Sequence, residues 1–358
     1  MSRPIQALVH LGALRHNLGE VRRYAPGAAV MAVIKANAYG HGVLRTARAL
    51  SSAEGFGLLE LDAAVQLREA GHAQRILLLE GFFAEDELEA IARHRLAAVI
   101  HSFEQIDMLR AAPDALALDA FLKINSGMNR LGFKPQDFPR ALEQLRAHAR
   151  VRSITLMTHF ANADEEVGID SQFEQFSRLA HGLEYQRSSA NSAAIMRFPH
   201  SHQDWVRAGV MLYGVSPFAG RVGLDEGLRP AMTLQSRIIA MQRLEPGESV
   251  GYGATFVAPA PMRIGVVACG YADGYPRHAP SGTPVLVEGV QTRTVGRVAM
   301  DMLCVDVSEI AHARVGSRVT LWGGMLPVER VAHAAGTIAY ELLCAVAPRV
   351  PMIDTEEG

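Results

Sequence analysis

The stretch AVMAVIKANAYGHG (residues 29–42) decides the fold. An apolar run ends at Lys35 and passes at once into a turn of small residues. Its length and β-branched content read as a buried strand, AVMAVIKA (29–36). Seven runs of the same kind follow: GFGLLE (55–60), RILLLEG (75–81), LAAVIHS (96–102), LDAFLKIN (118–125), SITLMTHF (153–160), YQRSSAN (185–191) and WVRAGVML (205–212). Segments of helical period and strong helix formers separate them, such as LDAAVQLREAG (61–71), DELEAIARHR (86–95) and ALEQLRAHAR (141–150). Eight strands alternating with helices predict a parallel sheet closed into a (β/α)8 TIM barrel.

Beyond about residue 225 long helical patterns give way to short β-branched runs between Gly and Pro turns: TLQSRIIAMQRL, RIGVVACGYADGYP, TPVLVEG, TRTVGRVAMDMLCVDV and SRVTLWG. That texture predicts a mostly antiparallel β domain. We therefore divide the chain into 1–225, the barrel, and 226–358, the β domain, with the first few residues free to pack against the second unit. The 358 residues match two domains of ordinary size. A net charge of −2 argues against nucleic acid or an anionic membrane surface as the main partner. No run of 18 apolar residues predicts a transmembrane helix, and the first residues lack a signal-peptide core, so the chain reads as cytoplasmic. Cys269, Cys304 and Cys344 sit in apolar segments at spacings that fit neither disulfides nor a metal site, and are expected to be buried reduced thiols.

The chain has only three lysines, Lys35, Lys123 and Lys134; the other 32 of its 35 cationic residues are arginine. A lysine that persists against this bias suits what arginine cannot do, which is to lose a proton and act as a nucleophile. In a TIM barrel the active site lies at the C-terminal ends of the strands. Lys35 ends the first run, Lys123 and Arg130 follow the fifth, His159 ends the sixth, Ser192 follows the seventh and Arg207 lies on the eighth, so all face one mouth. Taken singly, each is an ordinary ion pair or core group; their convergence is the signal. ANS (190–192) and RAGVMLYG (207–214) lie where barrels hold a phosphate on backbone amides. A phosphate site opposite a reactive lysine suggests pyridoxal 5′-phosphate (PLP). A sugar-phosphate enzyme with a covalently reacting lysine would read almost the same.

AVIKANAYGHG (32–42) resembles the signature of the alanine racemases. The likeness continues through LKINSGMNRLGF (122–133), MTHFANAD (157–164), ANSAA (190–194) and RAGVMLYG (207–214), then VGYGATF (250–256), GYADGYPR (270–277), GRVAMDM (296–302) and IAYELLC (338–344). This many strings in family order cover essentially the whole chain. The resemblance implies a PLP-dependent (fold-type III) enzyme interconverting L- and D-alanine, for peptidoglycan synthesis or alanine degradation. LKINSGMNRLGF is closer to the catabolic form. Asn125 stands where many members have aspartate, and Ala339 where asparagine is frequent.

By the same resemblance, Lys35 carries the cofactor and serves as one of two acid/base groups, and Tyr252 is the other. Racemisation takes a proton from one face of Cα and delivers one to the opposite face, so two groups must flank the substrate. Lys35 and Tyr252 lie in different domains, and in the family they meet across a homodimer interface. Arg207 would bind the pyridine nitrogen, ordered by His159. Tyr39, Ser192, Tyr340, Gly209 and Val210 would bind the phosphate. Arg130 would reach the cofactor's phenolic oxygen and the substrate carboxylate. Lys123 matches a lysine often carbamylated in the family, and Tyr271, Met300 and Asp301 match residues at the substrate entrance. No metal is implied. A non-catalytic PLP-binding barrel would lack the second domain, and a fold-related decarboxylase would need other motifs there. A broad-specificity racemase is the nearest rival; bulky Tyr271 and Tyr340 favour a small side chain, with serine still able to enter.

Overall fold

The computed structural model of the chain describes residues 3–356. Its first strand, β1 (Gln6–His10), leads into a helix over Leu11–Tyr24. Eight strands then close into a barrel: β2 (Ala29–Val33), β3 (Gly55–Leu58), β4 (Arg75–Leu78), β5 (Ala97–Ile100), β6 (Leu118–Lys123), β7 (Val151–Met157), β8 (Gln186–Ser188) and β9 (Trp205–Ala208). Every neighbouring pair is parallel, and β2 closes the ring on β9, with Met31 opposite Arg207. All eight predicted runs form these strands. Met31, Leu77, Val99, Phe121, Met157 and Trp205 fill the interior as one buried cluster. β3 leaves room for them with glycine: a Cβ on Gly55 would lie 2.9 Å from the Met31 sulfur. The barrel is a packed core with its chemistry confined to one end.

The remaining strands are β10 (Met232–Leu244), β11 (Ser249–Val250), β12 (Phe256–Val257), β13 (Met262–Val267), β14 (Pro284–Val287), β15 (Val290–Val295), β16 (Leu303–Asp306), β17 (Arg318–Trp322) and β18 (Met352–Thr355). Eight strands form one sheet in the order β13-β16-β15-β14-β17-β10-β1-β18. The long β10 pairs with β1 and β17 along its first half and with β13 along its second, across a register shift between Ile238 and Ala240. All of these pairings are antiparallel except β1 with β18. β1 thus lies in the sheet of the second unit, and the chain enters the barrel only afterwards.

Two helices, Val328–Ala335 and Ala339–Cys344, occur where sequence texture predicted only strands. The first is bounded by Pro327 and by Gly336 at φ 73°, which leaves too short a stretch for a periodic pattern to stand out. The second packs against the residues that follow β2. Among the described residues no helix is long and apolar enough to cross a membrane, and no group of three or more His, Cys, Asp or Glu could hold a metal ion. The cysteines are free. Cys269 is buried and Cys304 partly so, but Cys344 is exposed, against expectation, because it faces an open cavity rather than the core.

Candidate active site

A cavity of about 760 Å³ opens at the C-terminal mouth of the barrel. Ten of the residues expected there line it: Lys35, Tyr39, Lys123, Arg130, His159, Ser192, Arg207, Gly209, Val210 and Tyr340. β2 stops at Val33, earlier than the apolar run suggested, because the backbone reverses its hand. Ala36, Asn37, Ala38 and Tyr39 have φ of 52°, 52°, 54° and 50°, a left-handed turn built from four L residues. Such a conformation costs about 1–2 kcal/mol per residue, so its surroundings must impose it. The Ala38 amide donates to Ile34 O (2.9 Å) and the Gly40 amide to Ala36 O (3.1 Å). Asn37 Oδ1 accepts the Val43 amide at 3.2 Å. On the far side the turn presses on the last helix so closely that a Cβ on Gly40 would lie 2.0 Å from Leu343 O. Lys35 enters the cavity at the start of this turn and Tyr39 at its end.

Arg207 is almost fully buried. Its Nη1 donates to Ser188 Oγ (2.8 Å), and its Nη2 to Thr158 O (2.7 Å), Ser189 O (3.2 Å) and His159 Nδ1 (3.1 Å). A guanidinium only donates, so His159 accepts at Nδ1 and carries its proton on Nε2. Burial and the Arg207 charge hold His159 well below the usual histidine range, which keeps it neutral. Burial lowers Arg207 to about 10, still charged at neutral pH. Among the described residues none of its bonds uses Nε.

Ser192 Oγ accepts the Gly209 amide at 2.9 Å, leaving the hydroxyl proton free to donate into the cavity. Gly209 has no room for a side chain, since its Cβ would sit 2.7 Å from the Tyr39 hydroxyl. Tyr39 stacks on Tyr213 at 4.6 Å between ring centres and meets Tyr340 at 6.1 Å. Tyr213 is anchored by its hydroxyl to Val33 O (3.0 Å). Burial raises the pKa of both Tyr39 and Tyr340, so both remain neutral phenols.

The two cavity lysines share an environment that disfavours their charge. Burial, and then the Arg130 charge, lowers Lys35 below the ordinary lysine value. Burial, with Arg207 and Arg130, brings Lys123 down to about 8. Arg130 is exposed at the cavity wall after a loop organised by Asn125. Asn125 Oδ1 accepts the amides of Gly127 (3.1 Å) and Asn129 (3.0 Å), while its Nδ2 donates to Asn129 Oδ1 at 3.1 Å. An aspartate could accept both amides but could not make the third bond.

Four expected residues are not brought to this cavity by their own chain. Tyr252 is 71% exposed on a turn between β11 and β12, flanked by Gly251 and Gly253, both at φ 73°. Tyr271 and Met300 are also exposed, on loops joined by the Tyr271 amide to Ala299 O and the Ala272 amide to Met300 O, each 3.0 Å. The Asp301 carboxylate is occupied by Arg3 (3.0 Å) and Arg349 (2.6 Å). Sequence reasoning missed Glu80, His101 and Cys344 in the cavity wall and Tyr213 behind Tyr39. The first two carried a legible signal, since LLLEG and VIHS end at the same mouth as Lys35.

Comparison with known proteins agrees with this architecture. The family model for the alanine racemase N-terminal domain matches residues 9–217, and that for the C-terminal domain matches 231–354. The chain is 62% identical over 356 residues to the alanine racemase of Nitrosospira multiformis, covering 99% of this chain and 100% of that one. It is 57% identical over 360 residues to the alanine racemase of Nitrosomonas europaea, covering 99% of each. Among solved structures, the biosynthetic alanine racemase from Pseudomonas aeruginosa superposes with a TM-score of 0.96 at 47% identity, covering 99% of both chains. The alanine racemase from Acinetobacter baumannii gives 0.93 at 38%, covering 99% of this chain and 100% of that one. The chain belongs to the alanine racemase family.

Proposed function

We propose that this chain is a PLP-dependent alanine racemase, active as a homodimer, that moves protons at the substrate Cα with Lys35 on one face and Tyr252 of the partner subunit on the other. The observation that carries this reading is the convergence of a lysine with a lowered pKa, a hydroxyl and amide cradle, and a buried arginine with an unused Nε on one cavity. These donors fit PLP. Lys35 would hold it covalently, Ser192, Tyr39, Tyr340, Gly209 and Val210 would hold its phosphate, and Arg207 would donate to its pyridine nitrogen. When bound, PLP supplies an electron sink that makes the substrate Cα–H acidic. Arg207 does not readily give up its proton, so it leaves that nitrogen largely unprotonated and restrains the sink, which disfavours side reactions. Arg130 meets the substrate carboxylate. Tyr271, Met300 and Asp301 of the partner subunit would complete the entrance.

Tyr252 stands exposed on its own chain, in the other domain from Lys35, and a second copy supplies what one cavity lacks. An isolated monomer is then inactive. The reaction runs both ways with equal facility, so supply of D-alanine for peptidoglycan and degradation of alanine are two uses of one activity. The test is chiral analysis of L-alanine, L-serine and L-lysine incubated with protein and PLP. D-alanine forming fastest supports the reading. No D-amino acid from any of the three, with PLP bound, would make this a cofactor-carrying protein.

Two local predictions follow from the cradle and from Lys123. Gly209→Ala drives a methyl against the Tyr39 hydroxyl and places an L side chain on a backbone, φ −113° and ψ −103°, outside the common allowed regions. PLP affinity, measured by titrating apoprotein, should fall at least tenfold, about 1.4 kcal/mol. With a pKa of about 8, Lys123 is neutral in about a tenth of molecules at pH 7, and only the neutral amine adds carbon dioxide. The carbamate anion would pair with Arg130 and orient it. Carbon-13 NMR in labelled bicarbonate should show a carbamate resonance that disappears in Lys123→Met; its absence in the parent removes the modification.

A further inference from the structure

The left-handed turn that separates Lys35 from Tyr39 has a clamp of its own. His41 is completely buried, and its Nδ1 lies 3.1 Å from Ala38 O and 2.9 Å from Tyr39 O. Both partners are carbonyl oxygens, which only accept, so Nδ1 carries the proton and Nε2 bears a lone pair. Among the described residues that buried Nε2 has no partner. An unsatisfied buried nitrogen is destabilising, so a ring present only to fill space would be better without it. The burial that isolates Nε2 also holds His41 down to about 4, against the raising effect of its two carbonyl contacts. The ring lies 4.7 Å from the Tyr213 ring, which in turn stacks on Tyr39.

The reversed backbone explains why a side-chain donor is needed. In a right-handed helix Tyr39 O would accept the amide four residues on. Here that amide, of Val43, is turned to Asn37 Oδ1 instead. The His41 Nδ1–H takes its place. We propose that His41 is a positioning residue: its neutral ring locks the left-handed turn and so fixes the distance and direction from Lys35 to Tyr39, the two side chains that would meet opposite ends of one ligand. The inference rests on the function proposed above for what it does to catalysis, and on the geometry alone for what it does to the turn.

Asparagine can place its Nδ2 donor near the position of the histidine Nδ1, whereas glutamine places its donor near Nε2 and leucine has none. Amide hydrogen exchange of residues 38–43 in the full-length apoprotein reads the turn directly. We expect exchange to speed up about tenfold, one hydrogen bond's worth, in His41→Gln and His41→Leu, and to stay near the parent in His41→Asn. In the PLP-loaded protein the same two variants should lose kcat by on the order of 10²-fold, the effect of a misplaced reacting group. KM for alanine should change little, and asparagine should restore kcat. Equal exchange and equal kcat in all three variants, at equal folded fraction, would reduce His41 to a space-filling ring. Unchanged exchange in glutamine and leucine overturns the proposal whatever the activity. The expected exchange pattern in a protein that does not racemise alanine would leave the clamp standing and sink the function instead.

Discussion

Tyr252→Phe is expected to retain PLP and the dimer while racemisation falls by roughly 10² to 10⁴, the contribution of one general acid/base group. The substitution removes a single hydroxyl from a side chain that is 71% exposed on its own subunit, so loss of folding cannot account for the fall. In the proposed mechanism one face of the substrate keeps its base, Lys35, so exchange of one enantiomer's Cα hydrogen with deuterated solvent should continue while inversion stops. Polarimetry and mass spectrometry on the same sample separate the two. Near-parental inversion would remove Tyr252 from the mechanism, and with it the strongest reason for shared sites.

Lys35→Ala should abolish the absorbance of lysine-bound PLP and, with it, measurable racemisation, because in the proposed function one side chain both holds the cofactor and serves as a base. The alternatives are few. Lys134 is exposed and does not line the cavity; Lys123 does. A persistent absorbance would therefore identify Lys123 as the attachment point. The pH dependence carries a sign. Attachment needs the neutral amine, and Lys35 is lowered from 10.5 by burial and by Arg130. PLP uptake by apoprotein should rise with pH and level off below 10.5, where an exposed lysine would still be gaining. In the folded protein the buried ammonium is a penalty at low pH, relieved as pH rises through the lowered pKa towards 10.5, so its stability effect runs in the same direction.

Most of the barrel strands were legible because each is a short apolar run that, buried on both faces, reads the same in isolation as in the fold; the polar β8, Gln186–Ser188, was legible only from its place in the alternation. Lys35, Arg207 and His159 were legible for the same reason, each being placed by the strand it ends or lies on. The extent of β2 was not. Nothing in KANAY demands φ near 50°; Leu343, Tyr213 and the His41 side chain impose it from outside. Gln6–His10 is an unremarkable five-residue stretch until β10 and β18 pair with it. Cys344 looked like a core thiol because its neighbours are apolar, yet the helix that carries it stands over the barrel mouth. From sequence alone came the barrel followed by a mostly antiparallel β unit and the lysine at the barrel mouth that the proposal makes reactive, all set by local patterns of apolarity and chemistry. Tertiary structure decided the fit of the turn beside that lysine against the last helix and the walls of the cavity, because each depends on contacts between residues far apart in the chain.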